Sequence, residues 1–431
     1  MRLHVLIVCS HFPPLNMTGA RRPYHLARKL TDLGHQVTVL TDDAASKDRW
    51  QTDLTGIRVI RSPLVRYPQS LGLFGRLILD LYHAAGTSLT KRLTRLIIDL
   101  LLPLNSINRS DPDITLLQQR IPIPDIVLAT GPKWSTFEIG DRLRERWKTI
   151  LLVDYRDPWS VAIPEVGIRL LTWHGRGLVG WLKLRRTKRL ERRFTRRATG
   201  ITAATPLVLE NALRIIGTRP SMTIYNGGSA PAQHPRVHRN GSFQIVYTGA
   251  TYHEQEWGLF ISALRRLRAE HTSIAKEVNV ILIGARGIEQ HLKDASDVRS
   301  MITLNDRMDR DAIQSIQMNA DLLLHVGFKD KKGILPLKFM EYLHTTVPIL
   351  QVSSGNDLQE SIVQRTGAGW NARSEQDVLS VILDRHSLWR SGDSGLHERA
   401  PALAEFTWDH QMQRWVDFIQ TIYKSARSNG S

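Results

Sequence analysis

The sequence has one cysteine, Cys9, among its 431 residues, and it has no long apolar run. A single thiol cannot form an intramolecular disulfide, so a disulfide-stapled secreted domain is excluded and a reducing compartment such as the cytoplasm is expected. Without a stretch of 18 apolar residues, we expect no membrane-spanning helix. The apolar start, Met1–Ser10, is short and is soon followed by Pro13 and Pro14. We interpret it as a buried first strand and not as a signal peptide.

Acidic residues are scarce in the first half of the chain. Residues 1–230 carry 35 Lys and Arg against 18 Asp and Glu, whereas residues 231–431 carry 23 of each. The whole net charge of +17 therefore lies in the first half. This surplus predicts a polyanionic partner, which leaves open an anionic lipid surface, a phosphorylated acceptor and nucleic acid. The hydrophobic content of 42% and the charged content of 23% are ordinary for a globular protein and exclude wholesale disorder.

Apolar strand patterns alternate with helical patterns in a first series that ends near residue 225. The strand Val5–Cys9, the helix Arg21–Leu33 and the strand Gln36–Thr41 form the opening of a βαβ unit. Further strands are predicted at Asp125–Ala129, Ile150–Asp154, Gly200–Ala203 and Met222–Tyr225. Residues 66–108 and 176–199 interrupt this rhythm with helical periodicity.

A second series follows residues 226–242, which are rich in Gly, Pro, Asn and His and are interpreted as a linker. Its predicted strands are Phe243–Tyr247, Val278–Ile283, Met301–Leu304, Ala320–His325 and Pro348–Val352, and its predicted helices are Leu259–Glu270, Arg310–Met318 and Pro336–Leu343. The sequence therefore predicts an α/β protein with two doubly wound, Rossmann-like domains, 1–225 and 243–400. The tail, 401–431, contains an amphipathic helix at Trp408–Lys424.

The segment 333–343 (GILPLKFMEYL) follows a predicted strand and leads into a helix. The first N–H groups of a helix have no partner within it and suit a diphosphate. Lys338 and Glu341 are three residues apart and share one face of that helix. A cation for phosphate beside a carboxylate for ribose hydroxyls predicts a nucleotide-diphosphate site. An ordinary surface Lys–Glu pair explains the spacing equally well.

Polar residues also follow two predicted strands of the first domain. Arg156 and Asp157 come directly after the strand that ends at Asp154, at the edge of a parallel sheet where ligands bind. His11 lies in the loop after the first strand. These three are the catalytic candidates, for orientation of a substrate or for charge stabilisation at the reacting centre. The alternatives are a structural Arg–Asp pair and a structural histidine.

Several stretches, taken in order, resemble motifs of the GT-B glycosyltransferases, especially glycosyltransferase family four. They are HFPP at 11–14, GAR at 19–21, LGHQVTVL at 33–40, DYRDPW at 154–159, ITA at 201–203, IYNG at 224–227, YTG at 247–249, the segment 333–343, and GAG at 367–369. The resemblance implies a GT-B fold, with two facing Rossmann-like domains and a C-terminal helix crossing back to the first. It also implies transfer of a sugar from a nucleotide-diphosphate sugar to an acceptor hydroxyl, with retention of anomeric configuration.

In that family pattern the first domain binds the acceptor and the second binds the donor. The donor-binding candidates are Gly19, Thr248, Gly249, Arg286, Gly333, Ile334, Leu335, Lys338 and Glu341. The sequence departs from the pattern in two places. The first of the family's two glutamates falls on Gly333, and the basic residues usual after the strand–glycine turn are absent from 250–256. Lys338 and Arg286 are expected to replace the missing cations.

The chain has no Asp-x-Asp element of the kind that chelates a metal-bound nucleotide sugar, so no metal site and no cofactor beyond the co-substrate are expected. A nucleotide-sugar epimerase of the same fold remains an alternative. A nucleic-acid-binding protein, which the fold motifs disfavour, and a catalytically inactive family member are further alternatives.

Residues 183–197 contain nine basic side chains and one acid, Glu191. The membrane-facing candidates are Lys183, Arg185, Arg186, Lys188, Arg189, Arg192, Arg193, Arg196 and Arg197. A basic amphipathic helix of this kind is typical of contact with an anionic membrane surface. We therefore expect a peripheral protein on the inner face of the plasma membrane, acting on a glycan or lipid-linked acceptor for surface polysaccharide. A solvated helix face is the simpler alternative.

Overall fold

The computed structural model describes residues 1–42, 49–62, 121–160, 178–229, 241–329, 332–353, 355, 357–392 and 399–428, with the backbone alone at 178–183. The predicted helical segment 66–108 lies outside these ranges. The chain divides into two compact units. Unit 1 comprises Met1–Tyr225 with Gln411–Ser431, and unit 2 comprises Asn226–His410.

Unit 1 is built on a seven-stranded parallel sheet in the order β3-β2-β1-β4-β5-β6-β7. The strands are β1 His4–Cys9, β2 Gln36–Thr41, β3 Ile57–Arg61, β4 Ile126–Gly131, β5 Ile150–Tyr155, β6 Gly200–Ala203 and β7 Ser221–Thr223. The helices are α1 Thr18–Asp32, α2 Ser135–Trp147, α3 Leu178–Thr195 and α4 Pro206–Ile216. Both β1 and β4 are buried along their whole length, as parallel strands covered on both faces are.

Unit 2 is built on a six-stranded parallel sheet in the order β10-β9-β8-β11-β12-β13. The strands are β8 Phe243–Thr248, β9 Val278–Ile283, β10 Ile302–Asn305, β11 Leu322–Val326, β12 Ile349–Val352 and β13 Gly369–Ala372. The helices are α5 Trp257–Glu270, α6 Thr272–Ala275, α7 Glu289–Leu292, α8 Arg310–Met318, α9 Leu337–Leu343, α10 Leu358–Thr366 and α11 Glu375–Arg390, with 3₁₀ turns at Ser296–Met301 and Pro401–Phe406. The prediction of two Rossmann-like parallel sheets is confirmed.

The last helix, α12 Trp408–Ser428, belongs to unit 1 from Gln411 onward. Tyr423 donates to the Asp125 carboxylate over 3.1 Å, and a Cβ on Gly200 would lie 3.1 Å from the Phe418 ring. Glycine at 200 therefore lets this helix approach β6 closely, and the predicted return of the C-terminal helix to the first domain is confirmed. Across the described ranges, none of the helices is both long enough and apolar enough to cross a lipid bilayer.

Candidate functional site

In unit 2, Lys338 lies beside the loop that follows β8. Its ammonium donates to the Tyr247 hydroxyl over 2.5 Å and lies 3.8 Å from the centre of the same ring. A Cβ on Gly249, whose φ is +90°, would lie 3.7 Å from Lys338 Cδ. No carboxylate among the described residues forms a salt bridge with this ammonium. Burial lowers the pKa of Lys338 to about 7, with no opposing charge from the described residues.

Glu341, one helical turn further along α9, does not pair with Lys338. It accepts a hydrogen bond from Arg310 Nη2 over 3.1 Å, and both side chains remain partly accessible. The alternative of a simple surface Lys–Glu pair is therefore wrong. The two residues make separate interactions, and each keeps a surface that a ligand can reach.

The segment Gly333–Leu335 precedes α9 and is held by hydrogen bonds to side chains of Asp357 and Gln359. The Gly333 N–H donates to Asp357 Oδ1 over 2.9 Å, and the Ile334 carbonyl accepts from Gln359 Nε2 over 2.7 Å. Gly333 has a φ of +71°, a conformation that glycine adopts readily, and Leu335 is buried. The positive φ explains glycine at 333, where the family places a glutamate, and the bond to Asp357 holds the backbone there.

Thr248 is engaged inside unit 2. Its N–H donates to the Tyr342 hydroxyl over 2.9 Å, its own hydroxyl lies 3.0 Å from the same oxygen, and Gln317 donates to it over 3.1 Å. This buried side chain has no surface to offer a ligand. Its role is to fix the end of β8 against α9, which keeps Gly249 next to Lys338.

Arg286 is exposed and lines a pocket of about 450 Å³ at the carboxyl ends of β9 and β10. The other lining residues are Leu282, Gly284, Ala285, Ile288, Glu289, Leu304, Asn305, Asp306 and Arg307. Apolar side chains from two strand ends and polar groups from the loops give it the mixed lining of a small-molecule site. Residues 304–307 were not among the sequence candidates, although they lie at the end of the predicted strand Met301–Leu304, where ligands bind in such sheets.

In unit 1, the Arg156 guanidinium is held by three backbone carbonyls. It donates to Gly131 over 2.8 Å, to Gly19 over 2.7 Å and to Pro132 over 3.0 Å. A Cβ on Gly19 would lie 2.6 Å from Arg156 Nη1. Glycine at 19 therefore leaves room for the guanidinium, and the donor-binding role that the resemblance implies for Gly19 stays a prediction.

His11 lies against the same guanidinium, since a Cβ on Gly19 would also be 3.0 Å from His11 Nδ1. Burial, followed by the charges of Arg156 and Lys133, lowers the pKa of His11 to about 4, so the imidazole is neutral near pH 7. Asp157 is exposed, yet protein atoms crowd its carboxylate, and this desolvation raises its pKa despite the neighbouring Arg156. The three catalytic candidates are thus brought to one edge of the sheet.

Asp154, which precedes them, is structural. It is fully buried and forms a bidentate salt bridge with Arg22, at 2.7 and 2.9 Å, and it accepts from the hydroxyls of Thr130 and Thr202. Arg22 also donates to the Ile224 carbonyl over 2.6 Å. Arg22, in the second turn of α1, was not among the sequence candidates, because no local pattern indicates its partner Asp154, 132 residues away.

In the basic helix α3 the arginines are exposed and the one acid is buried. The arginine face comprises Arg185, Arg186, Arg189, Arg192 and Arg193, together with Arg196 just after the helix. Glu191 is buried and accepts from the Ser160 N–H over 3.0 Å, so the arginine face carries no acid. Arg197 pairs with Glu145 over 2.8 Å and is turned against α2, and Lys188 is partly buried. The Lys183 side chain lies outside the described atoms.

The described residues contain no group of three or more His, Cys, Asp and Glu side chains arranged to hold a metal ion.

Residues 18–227 match the family model of the glycosyl transferase 4-like domain. A comparison with curated protein sequences found no match.

Among solved structures, sucrose-phosphate synthase from Thermosynechococcus elongatus is 12% identical, with a TM-score of 0.61 over 98% of this chain and 100% of that one. A glycosyltransferase from Rickettsia africae is 12% identical, with a TM-score of 0.58 over 98% and 99%. Anabaena HepE, solved with UDP and glucose, is 13% identical, with a TM-score of 0.57 over 97% and 100%. The chain therefore has the GT-B fold, and the match of residues 18–227 to the glycosyl transferase 4-like domain supports a glycosyl-transfer enzyme.

Proposed function

We propose that this glycosyltransferase takes its sugar from a nucleotide-diphosphate sugar bound by unit 2. The observation that carries the proposal is the Lys338 ammonium beside Gly249, which pairs with no carboxylate in the described part of the chain. A diphosphate supplies a counter-charge to this ammonium. When the bond to the sugar breaks, the departing diphosphate gains negative charge, which a fixed cation stabilises. The pocket at the ends of β9 and β10 is assigned to the nucleobase, and Glu341 to the ribose hydroxyls.

The comparisons agree with this assignment without identifying the donor. Anabaena HepE was solved with UDP and glucose, and an Escherichia coli trehalose-6-phosphate protein with UDP-2-fluoro glucose. Both are similar to this chain in fold only. The identity of the base and of the sugar in the donor is therefore a question for measurement.

Calorimetry with UDP, GDP, ADP, dTDP and CMP, with and without Mg²⁺, tests the donor site. We expect one nucleoside diphosphate to bind without metal. Glu341→Ala is expected to weaken that binding and to raise the Michaelis constant for the donor, whereas Lys338→Ala mainly lowers turnover. Glu270→Ala is the matched control, because Glu270 also pairs with an arginine, Arg266, at an exposed helix position. Wild-type kinetics in both site variants would remove the assignment.

The stereochemical course is proposed to be retention of anomeric configuration, as the resemblance to family four implies. The proton NMR spectrum of the first product formed reports the anomeric configuration directly. An epimerase is distinguished in the same experiment, because it converts the nucleotide sugar without any acceptor.

We further propose that unit 1 contacts an anionic membrane surface through the arginine face, where a glycan or lipid-linked precursor is glycosylated. The burial of Glu191 supports this, because it leaves the outward side of α3 with cations alone. Each arginine near an anionic leaflet contributes about 1 kcal/mol to binding. Several of them together are sufficient for reversible attachment.

Sedimentation with vesicles of phosphatidylglycerol and phosphatidylcholine tests the membrane proposal. Arg186→Glu with Arg189→Glu and Arg193→Glu is expected to abolish binding at physiological salt. Arg268→Glu with Lys276→Glu and Lys293→Glu, at exposed positions of unit 2, produces the same change in net charge and is expected to leave binding intact. Equal loss in both triple variants would show that net charge matters and the arginine face does not.

A further inference from the structure

A chain of buried polar side chains crosses unit 2 beneath the segment Gly333–Leu335. His325 Nδ1 lies 2.7 Å from Gln351 Oε1, Gln351 Nε2 lies 3.3 Å from Gln359 Oε1, and Gln359 Nε2 donates to the Ile334 carbonyl over 2.7 Å. All three side chains are fully buried. We call the three the relay.

The direction of every hydrogen bond in the relay is fixed by its last member. The Ile334 carbonyl can only accept, so Gln359 must present its NH₂ group there and its oxygen toward Gln351. The same logic makes Gln351 present its oxygen to His325, which must then donate from Nδ1. The amide orientations and the imidazole tautomer follow from the chemistry and not from an assignment of indistinguishable atoms.

The fold itself does not require the relay. His325 and Gln351 are register partners on β11 and β12, and their strand neighbours Leu324 and Leu350 point into the apolar core on the other face. Aliphatic residues would fill both positions without the desolvation penalty that buried polar groups carry. Burial also lowers the pKa of His325 to about 3, so the histidine remains neutral and serves as a donor only.

We propose that the relay, through Gln359, positions the backbone of Gly333–Leu335 for the diphosphate of the donor. This rests on the proposed function of unit 2. With the Ile334 carbonyl held by Gln359 and the Gly333 N–H held by Asp357, the first and last peptide planes of this segment are each fixed by a hydrogen bond. A segment fixed before the ligand arrives loses less conformational freedom on binding. The relay residues are positioning residues, since none of them contacts the donor itself.

The test compares two ligands that differ only in their phosphates. Gln359→Leu keeps the side-chain volume and removes the bond to the Ile334 carbonyl. We expect it to raise the dissociation constant for UDP about tenfold or more and to leave that for uridine unchanged, measured by calorimetry; about tenfold corresponds to one lost hydrogen bond of ordinary strength. Where the wild-type protein prefers another base, the matching diphosphate and nucleoside replace UDP and uridine.

Gln411→Leu is the matched control, because Gln411 is also a fully buried glutamine that bonds a backbone group, the Tyr225 N–H, but in unit 1. It is expected to change neither ligand. A merely structural role for Gln359 predicts an equal loss for diphosphate and nucleoside, and that result, or unchanged diphosphate binding, overturns the proposal. If Gln359→Leu does not fold, Gln351→Leu serves, with a smaller effect of the same pattern.

Amide hydrogen exchange of the ligand-free protein gives a second readout that needs no nucleotide. We expect faster exchange at Gly333–Leu337 in Gln359→Leu than in the wild-type protein or in Gln411→Leu. Failure of every diphosphate to bind the wild-type protein would refute the proposed function. Unchanged exchange in this segment would refute the relay instead.

Discussion

Replacing Lys338 with methionine separates the stability of unit 2 from its function. The partly buried ammonium has the Tyr247 hydroxyl and ring as its partners and no counter-charge among the described residues. Burial lowers the pKa of Lys338 from 10.5 to about 7. By linkage this sets an upper bound of roughly 4 kcal/mol by which the lysine lowers the free energy of unfolding at pH 7. Because the side chain keeps some contact with water, we expect about 1–2 kcal/mol.

The pH dependence of this effect has a definite sign. The folded-state pKa lies below the unfolded one, so between pH 7 and 10.5 the unfolded chain binds more protons and the wild-type protein gains stability as pH rises. Lys338→Met is therefore expected to be more stable than wild type at pH 7, and the difference should shrink toward pH 10. Urea unfolding followed by tryptophan fluorescence measures it, because the Trp257 ring packs 4.9 Å from that of Tyr247.

Lys276→Met, at an exposed position of the same unit, is the control and should leave the unfolding free energy nearly unchanged. A Lys338→Met protein that is less stable than wild type at pH 7, or a difference that does not vary with pH, would refute the reasoning. Either result would mean that the ammonium is compensated in the ligand-free protein. Turnover should fall in the variant in the same samples, as is expected for Lys338→Ala.

Three other predictions follow from single contacts. Diphosphate binding should take up a proton near neutral pH, because the bound anion raises the lowered pKa of Lys338, and the affinity should therefore fall as pH rises above 7. Calorimetry in buffers of different ionisation enthalpy measures the proton uptake, and no uptake is expected in Lys338→Met. Gly19→Ala should displace the Arg156 guanidinium, lower turnover and destabilise unit 1 by about 1–3 kcal/mol; unchanged kinetics would contradict the contact. Asp154→Asn should cost about 3–5 kcal/mol in urea unfolding, because it leaves Arg22 buried without a counter-charge, whereas Glu210→Gln, at an exposed ion pair, should cost under about 1 kcal/mol.

The sheets were largely predictable because their central strands are buried on both faces. The short apolar stretch of β1, HVLIVC, is followed by a helical pattern and a second strand, and this order predicts a buried parallel strand. Two of the four edge strands, β3 and β13, were not predicted, for a physical reason. In β3, IRVIR, charged residues alternate with apolar ones on a half-exposed edge, and β13, GWNA, opens with a glycine that resembles a turn.

The candidate site was predictable only where its residues are close in sequence. The spacing of Lys338 and Glu341 indicated one helix face, but the partner of Lys338 is Tyr247, 91 residues away. No local sequence pattern predicts a contact between residues that far apart in the chain. Likewise, the sequence did not indicate that the missing side chain of Gly19 makes room for Arg156, 137 residues away. Sequence periodicity predicts which element a residue occupies, and the tertiary fold decides which side chain it meets.

Two features of unit 2 lower its stability without helping it fold, and both lie beside α9. A lysine is partly buried with no counter-charge among the described residues, and three polar side chains occupy positions that aliphatic residues would fill at lower free energy. Unfavourable groups of this kind persist in folded proteins where a ligand or a reaction uses them. Lys338 has no anionic partner in the described part of the chain, and the relay fixes the segment that leads into its helix. The same anion therefore accounts for both features, and this agreement is why the donor diphosphate is placed at the start of α9.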